Sequence, residues 1–372
     1  MTTQTPSIQT SGIQTPSIQT SGARAAITLT PVGPFSLAAS SRFLEGFGPA
    51  RYRGRDDRIL RLAFPVETPG AGWPVVGLAV RQEADGTIVA DVDAPIADDV
   101  RERAAAQLAR ILSLDVDGSR YPALATVDPV VGGLQTRFAG LRPVCFHSPY
   151  EAACWAVLSH RVRVSQAAAT KARLAEIHGE RRTVAGVDLF AFPDPAALLA
   201  VPAFDGVPDV KLERLHGLAR AAADGHLSGE RLRALDPTEA MGRLRELPGV
   251  GPFSAELILV RGAGAPDVFP LAERRLHAAM VQLYGLPGSE RARLVEIARR
   301  WAPYRSWVSV LIRSAHDTGA AHTTEKPAAD RRHPARPAST GPAHDRPAEL
   351  PAGHLGRPRT SGQRASLVPV LF

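Results

Sequence analysis

At 372 residues, with 44% hydrophobic and 22% charged side chains, the chain is long enough for about two or three domains, each with its own packed core. A formal net charge of +7 favours a polyanionic partner, although basic tails produce the same excess. Two cysteines, Cys145 and Cys154, exclude a zinc or iron–sulfur centre held by four thiolates and read as buried reduced thiols of a cytosolic protein. No apolar run approaches a membrane span, and the N-terminus lacks the apolar core of a signal peptide.

Residues 1–24 duplicate one polar unit punctuated by Pro and Gly, Gln4 to Gly12 recurring as Gln14 to Gly22. Two such copies cannot build a solenoid, and the segment reads as disordered. From Ala25 the pattern changes. Residues 27–31 begin a strand, 40–47 read as a short helix, and 59–64, 75–80 and 87–92 read as short strands joined by turns such as Asp85-Gly86. Residues 95–112 form an amphipathic helix with Ile96, Val100, Leu108, Ile111 and Leu112 apolar. Residues 25–142 therefore predict a small α+β domain, antiparallel strands with two helices. Its Arg51, Arg53, Arg55, Arg58 and Arg61 can touch phosphate, but exposed strand arginines are ordinarily just solvated.

From Pro143 the chain turns helical. Ser148-Pro149-Tyr150-Glu151 is a helix start, with a Ser N-cap, Pro in the first turn and an acid after it. Helices are predicted at 150–159, 164–178, 194–200, 208–223, 228–234 and 237–246, then at 273–284, 288–299 and 303–317, so residues 143–319 predict an all-α bundle. Residues 320–372, rich in Pro and Arg, read as a disordered basic tail that supplies much of the net charge.

Between the helices predicted at 237–246 and 273–284 lies Leu247-Pro248-Gly249-Val250-Gly251-Pro252-Phe253-Ser254-Ala255, which reads as one helix stopping, a tight turn, and a second helix starting. Gly249 and Gly251 let the main chain approach a ligand, and Pro252 suits the first turn of the new helix. The unpaired amides there make an anion site, most naturally for a phosphate. After Gly262 comes Ala263-Gly264-Ala265-Pro266-Asp267-Val268-Phe269-Pro270-Leu271-Ala272-Glu273-Arg274-Arg275-Leu276. Together these segments resemble the helix-hairpin-helix DNA glycosylases, in particular their alkylpurine (3-methyladenine type II) branch. That branch carries L-P-G-(V/I)-G before a Ser/Thr-Ala helix, then a D-x-F-P segment and a catalytic Asp. The chain departs from it at the catalytic position, where Glu273 stands. The resemblance covers the helical part nearly end to end, and the α+β part matches the family's N-terminal domain in pattern.

The resemblance implies an enzyme that grips the DNA backbone, extrudes a damaged nucleotide and cuts its N-glycosidic bond. The grip falls to Gly249, Val250, Gly251 and Ser254, holding a phosphate directly or through a monovalent cation on the turn's carbonyls; no other cofactor and no metal is implied. Cleavage through an oxocarbenium-like sugar calls for a carboxylate, here Glu273, whose bland alternative is a helix-start acid or an ion pair with Arg274 or Arg275. Asp267 is a candidate substitute for that carboxylate, but its place before Phe269-Pro270 is implied to be structural. Arg161, with His160 beside it, stands near the family's wedge position. Trp155, Phe253, Trp301, Tyr304 and Trp307 are candidate pocket aromatics, since an electron-poor purine stacks on π faces, and Arg313 stands where the family can present a pocket Trp. For each aromatic, core packing is the competing reading. No lysine lies between the hairpin and Glu273, so lyase chemistry is not expected. The expected function is monofunctional excision of alkylated purines from duplex DNA, by a cytoplasmic, nucleoid-associated monomer. The alternative is a non-catalytic DNA- or lesion-binding paralogue that keeps the hairpin.

Overall fold

The computed structural model describes residues 26–49, 52, 54 and 57–322, with side chains to 318. The duplicated segment 1–24, the tail beyond 322, and Arg51, Arg53 and Arg55 lie outside the described residues.

The chain opens with β1 (Ala26–Leu29), α1 (Leu37–Gly46), β2 (Leu60–Pro65), β3 (Val75–Gln82), β4 (Ile88–Val92) and α2 (Asp98–Ile111). The four strands form one antiparallel sheet in the order β1-β4-β3-β2, with Leu62 opposite Leu78 and Ile27 opposite Ala90. This is the small antiparallel sheet that the hydrophobic pattern predicts, each strand within one or two residues of its expected bounds. β2 does not alternate: all six of its residues are buried. One face meets the main core, and Ala63, with Val75 of β3, packs on Ala191 and Leu189 on the other. Gly77 of β3 has room for no side chain, because a Cβ there would stand 2.6 Å from Val184. Arg61 is no solvated strand arginine, being buried and paired with Asp57.

Two short helices, α3 (Leu124–Val127) and α4 (Pro129–Arg137), lead into the helical part. It comprises α5 (Pro149–Ser159), α6 (Val164–His178), α7 (Pro195–Leu199), α8 (Asp209–Ala223), α9 (Gly229–Ala234), α10 (Pro237–Arg245), α11 (Pro252–Leu257), α12 (Arg274–Tyr284), α13 (Arg291–Arg299) and α14 (Arg305–His322). Ser148 caps α5 as its sequence predicts, accepting from the Glu151 amide at 3.0 Å. The bundle is not wholly helical. β5 (Arg181–Val184) and β6 (Val187–Phe190) form an antiparallel ribbon between α6 and α7, turning through Ala185 and Gly186, both at positive φ. Two consecutive positive φ angles mark the tight hairpin turn whose twist suits antiparallel strands. The ribbon covers the outer face of β2 and β3.

The sheet and the helices share one continuous hydrophobic core. Two buried arginines fasten the halves. Arg142 donates to the carbonyls of Pro34, Ser113 and Val116 and lies 5.1 Å over the Trp307 ring. Arg261 donates to the Val144 carbonyl and lies over the rings of Phe43 and Phe47, 5.0 and 4.6 Å from their centroids. Burial pushes both guanidinium groups down, to about 10, outweighing the nearby acidic groups that favour the charged form. Cys145 and Cys154 are buried free thiols. Among the described residues, no helix is long and apolar enough to cross a membrane.

Candidate functional site

α10 ends at Arg245, and the chain turns through Leu247 to Gly251 before α11 begins at Pro252. The Val250 amide donates to the Leu247 carbonyl at 3.1 Å and closes the turn. Of the three amides expected to face a phosphate, Val250's is thus engaged within the turn, and its side chain is buried. The amides of Gly249 and Gly251 make no hydrogen bond among the described residues. Gly251 is the N-cap of α11, where it supplies no side-chain acceptor, and Pro252 fills the first turn. Ser254 lies half-buried in this first turn. α11 continues without a break into a π-helical turn, Ile258–Gly262, closed by the Ala263 amide on the Ile258 carbonyl at 2.8 Å.

Gly249 has φ +81°, a left-handed backbone that side chains adopt only with strain. A Cβ there would also stand 2.9 Å from Arg214 Cδ and 3.2 Å from Val157 Cγ2. Gly249→Ala is expected to destabilise the fold by about 1–3 kcal/mol, measured by urea unfolding, and to weaken duplex binding. A variant as stable as wild type would mean that the turn relaxes freely.

The segment after the π-helical turn is clamped at both ends. Asp267 holds Arg305 through two side-chain bonds, at 2.7 and 2.9 Å, and accepts the Arg305 amide at 3.1 Å. Its carboxylate is wholly engaged in fixing the start of α14. Ser306 Oγ takes the Val268 amide at 2.9 Å and donates to the Val268 carbonyl at 3.0 Å. At the other end Glu256 of α11, 5% exposed, accepts the amides of Leu271 and Ala272 at 2.9 and 2.8 Å. Sequence reasoning passes over Glu256. The available signal is an acid inside the apolar run from Ala255 to Val260, which a buried helix tolerates only when the carboxylate has partners.

Glu273 follows at once. It is 4% exposed and is the N-cap of α12, its Oε1 accepting the Arg275 amide at 2.8 Å. Oε2 has no hydrogen-bond partner among the described residues. Arg274 and Arg275 are exposed, and neither pairs with it. His277, one turn on, has Nε2 3.2 Å from the Pro270 carbonyl, and burial lowers its pKa, which favours a neutral ring with the proton on Nε2. One carboxylate oxygen is therefore fixed by backbone while the other is unengaged at the mouth of a helix.

His160 is the C-cap of α5, and Arg161 follows with φ +57°; both are exposed. Of the aromatic candidates, Phe253 is half-buried on the hairpin. The others are deep. Trp155 and Trp301 have no exposed surface, and Trp307 is 2% exposed. Trp301 Nε1 donates to Asp128 at 3.0 Å and its ring meets Phe269 edge-on. Tyr304 and Trp307 pack against Tyr121. Arg313 is likewise fully buried, bonded to Asp317 at 2.9 Å, with Nε and Nη1 unpartnered. A separate cavity of about 420 Å³ opens between β2, α6 and β6, lined by Arg61, Phe146, Glu151, Lys171 and Phe192 among others. It shares no residue with the hairpin or the Glu273 segment.

No protein-family model matches the chain. It is 32% identical over 218 residues to a protein of Mycobacterium tuberculosis named probable bifunctional transcriptional activator/DNA repair enzyme AlkA, covering 58% of this chain and 43% of that one. It is 33% identical over 194 residues to DNA-3-methyladenine glycosylase 2 of Escherichia coli, covering 49% of this chain and 62% of that one. The chain thus spans less than two thirds of either relative. Its fold is that of the 3-methyladenine DNA-glycosylase from Archaeoglobus fulgidus, with a TM-score of 0.63 at 19% identity over 77% of this chain and 96% of that one.

Proposed function

We propose, for a chain that belongs to the helix-hairpin-helix DNA glycosylase superfamily and its alkylpurine branch, that it hydrolyses the N-glycosidic bond of alkylated purines in duplex DNA. The observation that carries this reading is Glu273, a buried carboxylate with one oxygen locked by a backbone amide and the other unengaged, on a segment clamped by Glu256 and Asp267. A carboxylate so held is preorganised to stabilise positive charge where water is scarce.

The steps follow from charge. The open amides of Gly249 and Gly251, with Ser254, hold a backbone phosphate whatever the sequence, so the protein can scan. Arg161, with His160, fills the stack vacated by the flipped nucleotide. The flipped base meets Phe253, which keeps exposed surface; Trp155, Trp301, Trp307 and Arg313, also candidates for this pocket, are buried and present almost none to it. A purine alkylated at N3 or N7 is already cationic, so it leaves C1′ as a neutral base with the bonding pair and needs no general acid. Glu273 stabilises the oxocarbenium-like sugar; water then adds at C1′ and gives up a proton. Without a lysine nucleophile the reaction stops at the abasic sugar. Residues 143–319 carry the chemistry and 25–142 brace it, in a cytoplasmic monomer that uses no cofactor beyond a monovalent cation between the turn carbonyls and the phosphate.

The test is single-turnover release of 3-methyladenine and 7-methylguanine from methylated duplex DNA. Release above the spontaneous rate is expected. Tight binding without release of either base would make the protein a lesion binder.

A further inference from the structure

α8 carries two cations toward the proposed DNA-binding elements from between them. Lys211 reaches the end of α5, its Nζ donating to the carbonyls of Leu158 and His160 at 3.0 and 2.9 Å, and so fixes the turn that presents His160 and Arg161. One turn of helix later Arg214 reaches the hairpin, its Cδ lying where a side chain on Gly249 would begin. A third contact locks the helix in place: Gly217 leaves room for the Pro248 ring, which would stand 2.5 Å from a Cβ there. α8 therefore spans from the α5–α6 turn to the hairpin turn as one rigid rod.

The charges on this rod are unbalanced. Arg214 has no hydrogen bond and no ion pair among the described residues, although it is half-buried. Its neighbour at this spacing is another cation, Lys211, and the two repel: burial first, then the Arg214 charge, lowers the Lys211 pKa. Like charges one turn apart weaken a helix, and two carbonyls use only two of the three ammonium donors. An anion lying along the rod would satisfy all of this together. Gly249, whose amide is open, stands beside Arg214, so the anion that fits is a phosphate of the same strand that the hairpin holds.

We propose that Arg214, with Lys211 beside it, binds a second backbone phosphate, making α8 a third DNA-contacting element that joins the hairpin grip to the Arg161 turn. This rests on the DNA-processing reading given above. The geometry explains why the first half of α8 is pinned to both elements: the spacing between gripped phosphate and extruding side chain is then set by one helix.

The experiment measures affinity for an undamaged duplex over a range of salt concentrations, for wild type, Arg214→Gln, Arg214→Lys and Arg220→Gln. Arg220 is exposed on the same helix, and its replacement removes the same charge. Arg214→Gln is expected to weaken binding about threefold to tenfold and to reduce the slope of log affinity against log salt by about one, as for the loss of one phosphate contact. Arg214→Lys should keep the slope, and Arg220→Gln should leave it within error of wild type. A slope unchanged in Arg214→Gln, or lowered equally by Arg220→Gln, overturns the assignment while leaving the glycosylase reading intact. A wild type without salt-dependent duplex binding overturns the glycosylase reading and this assignment with it. Thermal melting of each variant separates lost contact from lost fold.

Discussion

Glu273→Gln is expected to slow single-turnover release of alkylated purines by about 10²–10³-fold, the loss that follows removal of one preorganised charge-stabilising group. Fold and DNA binding should persist, because the substitution keeps an acceptor for the Arg275 amide and the α12 cap survives. Glu273→Asp separates charge from reach. Aspartate is a good N-cap and keeps the negative charge, but it withdraws the carboxylate by about 1 Å, a displacement that can alone slow a reaction about 10²-fold. The Asp variant is therefore expected to release base faster than Gln and more slowly than wild type. Gain of release in Asp over an inert wild type would reverse the reading: the longer side chain would then have abolished cleavage. Equal rates for wild type and Gln would remove Glu273 from the chemistry altogether.

Glu256→Ala is expected to harm both stability and rate. Its carboxylate is the acceptor for the Leu271 and Ala272 amides, both in the segment that delivers Glu273. Leaving those amides without a partner should cost about 2–4 kcal/mol, seen as a lower urea midpoint. The freed segment should also let Glu273 wander, with a loss of about 10²-fold in single-turnover rate at temperatures where the variant remains folded. A folded variant with the wild-type rate would mean that Asp267 and the α12 cap position Glu273 unaided.

The pH dependence tests the same contact. Burial raises the Glu256 pKa, outweighing the two amides that lower it; Arg291 also lowers it and Glu273 raises it. A folded-state pKa above the unfolded one means that this group favours folding most below its ordinary value, and that this contribution is lost as the pH rises through the raised value. Glu256→Gln cannot titrate. The stability difference between wild type and Gln should therefore move in favour of Gln between about pH 4 and about pH 7. A flat difference would mean that the carboxylate ionises in the fold as freely as in water.

The candidate site was legible where chemistry depends on backbone type and on adjacent residues. Gly249, Gly251 and Pro252 marked an amide-lined turn because Gly249 takes a left-handed backbone that side chains rarely adopt and Pro252 suits a helix start, and Glu273 stood out by its place after the Asp267–Pro270 segment. What escaped were side chains whose work is done at a distance in sequence. Glu256 reaches fifteen or so positions along the chain to hold the Glu273 segment, and Lys211 about fifty to hold the α5 turn. Neither has a local signature beyond an odd charge in its helix. The β5–β6 ribbon was missed for another reason: its alternation is short, and Ala185 takes an angle usually left to Gly or Asn.

By itself the sequence determined the order and type of most elements, because apolar spacing and capping residues act within a few positions of one another. It also determined the hairpin and the absence of a nucleophilic lysine near it. Tertiary structure alone decided which polar atoms remain unengaged. Val250 and Gly249 are neighbours, yet one amide closes the turn and the other stays open. Asp267 and Glu273 are both acids of one loop, yet Arg305 takes up the first and leaves an oxygen of the second without a partner. That difference arises because a buried charge must find partners wherever packing brings them, and packing unites residues that the chain keeps far apart.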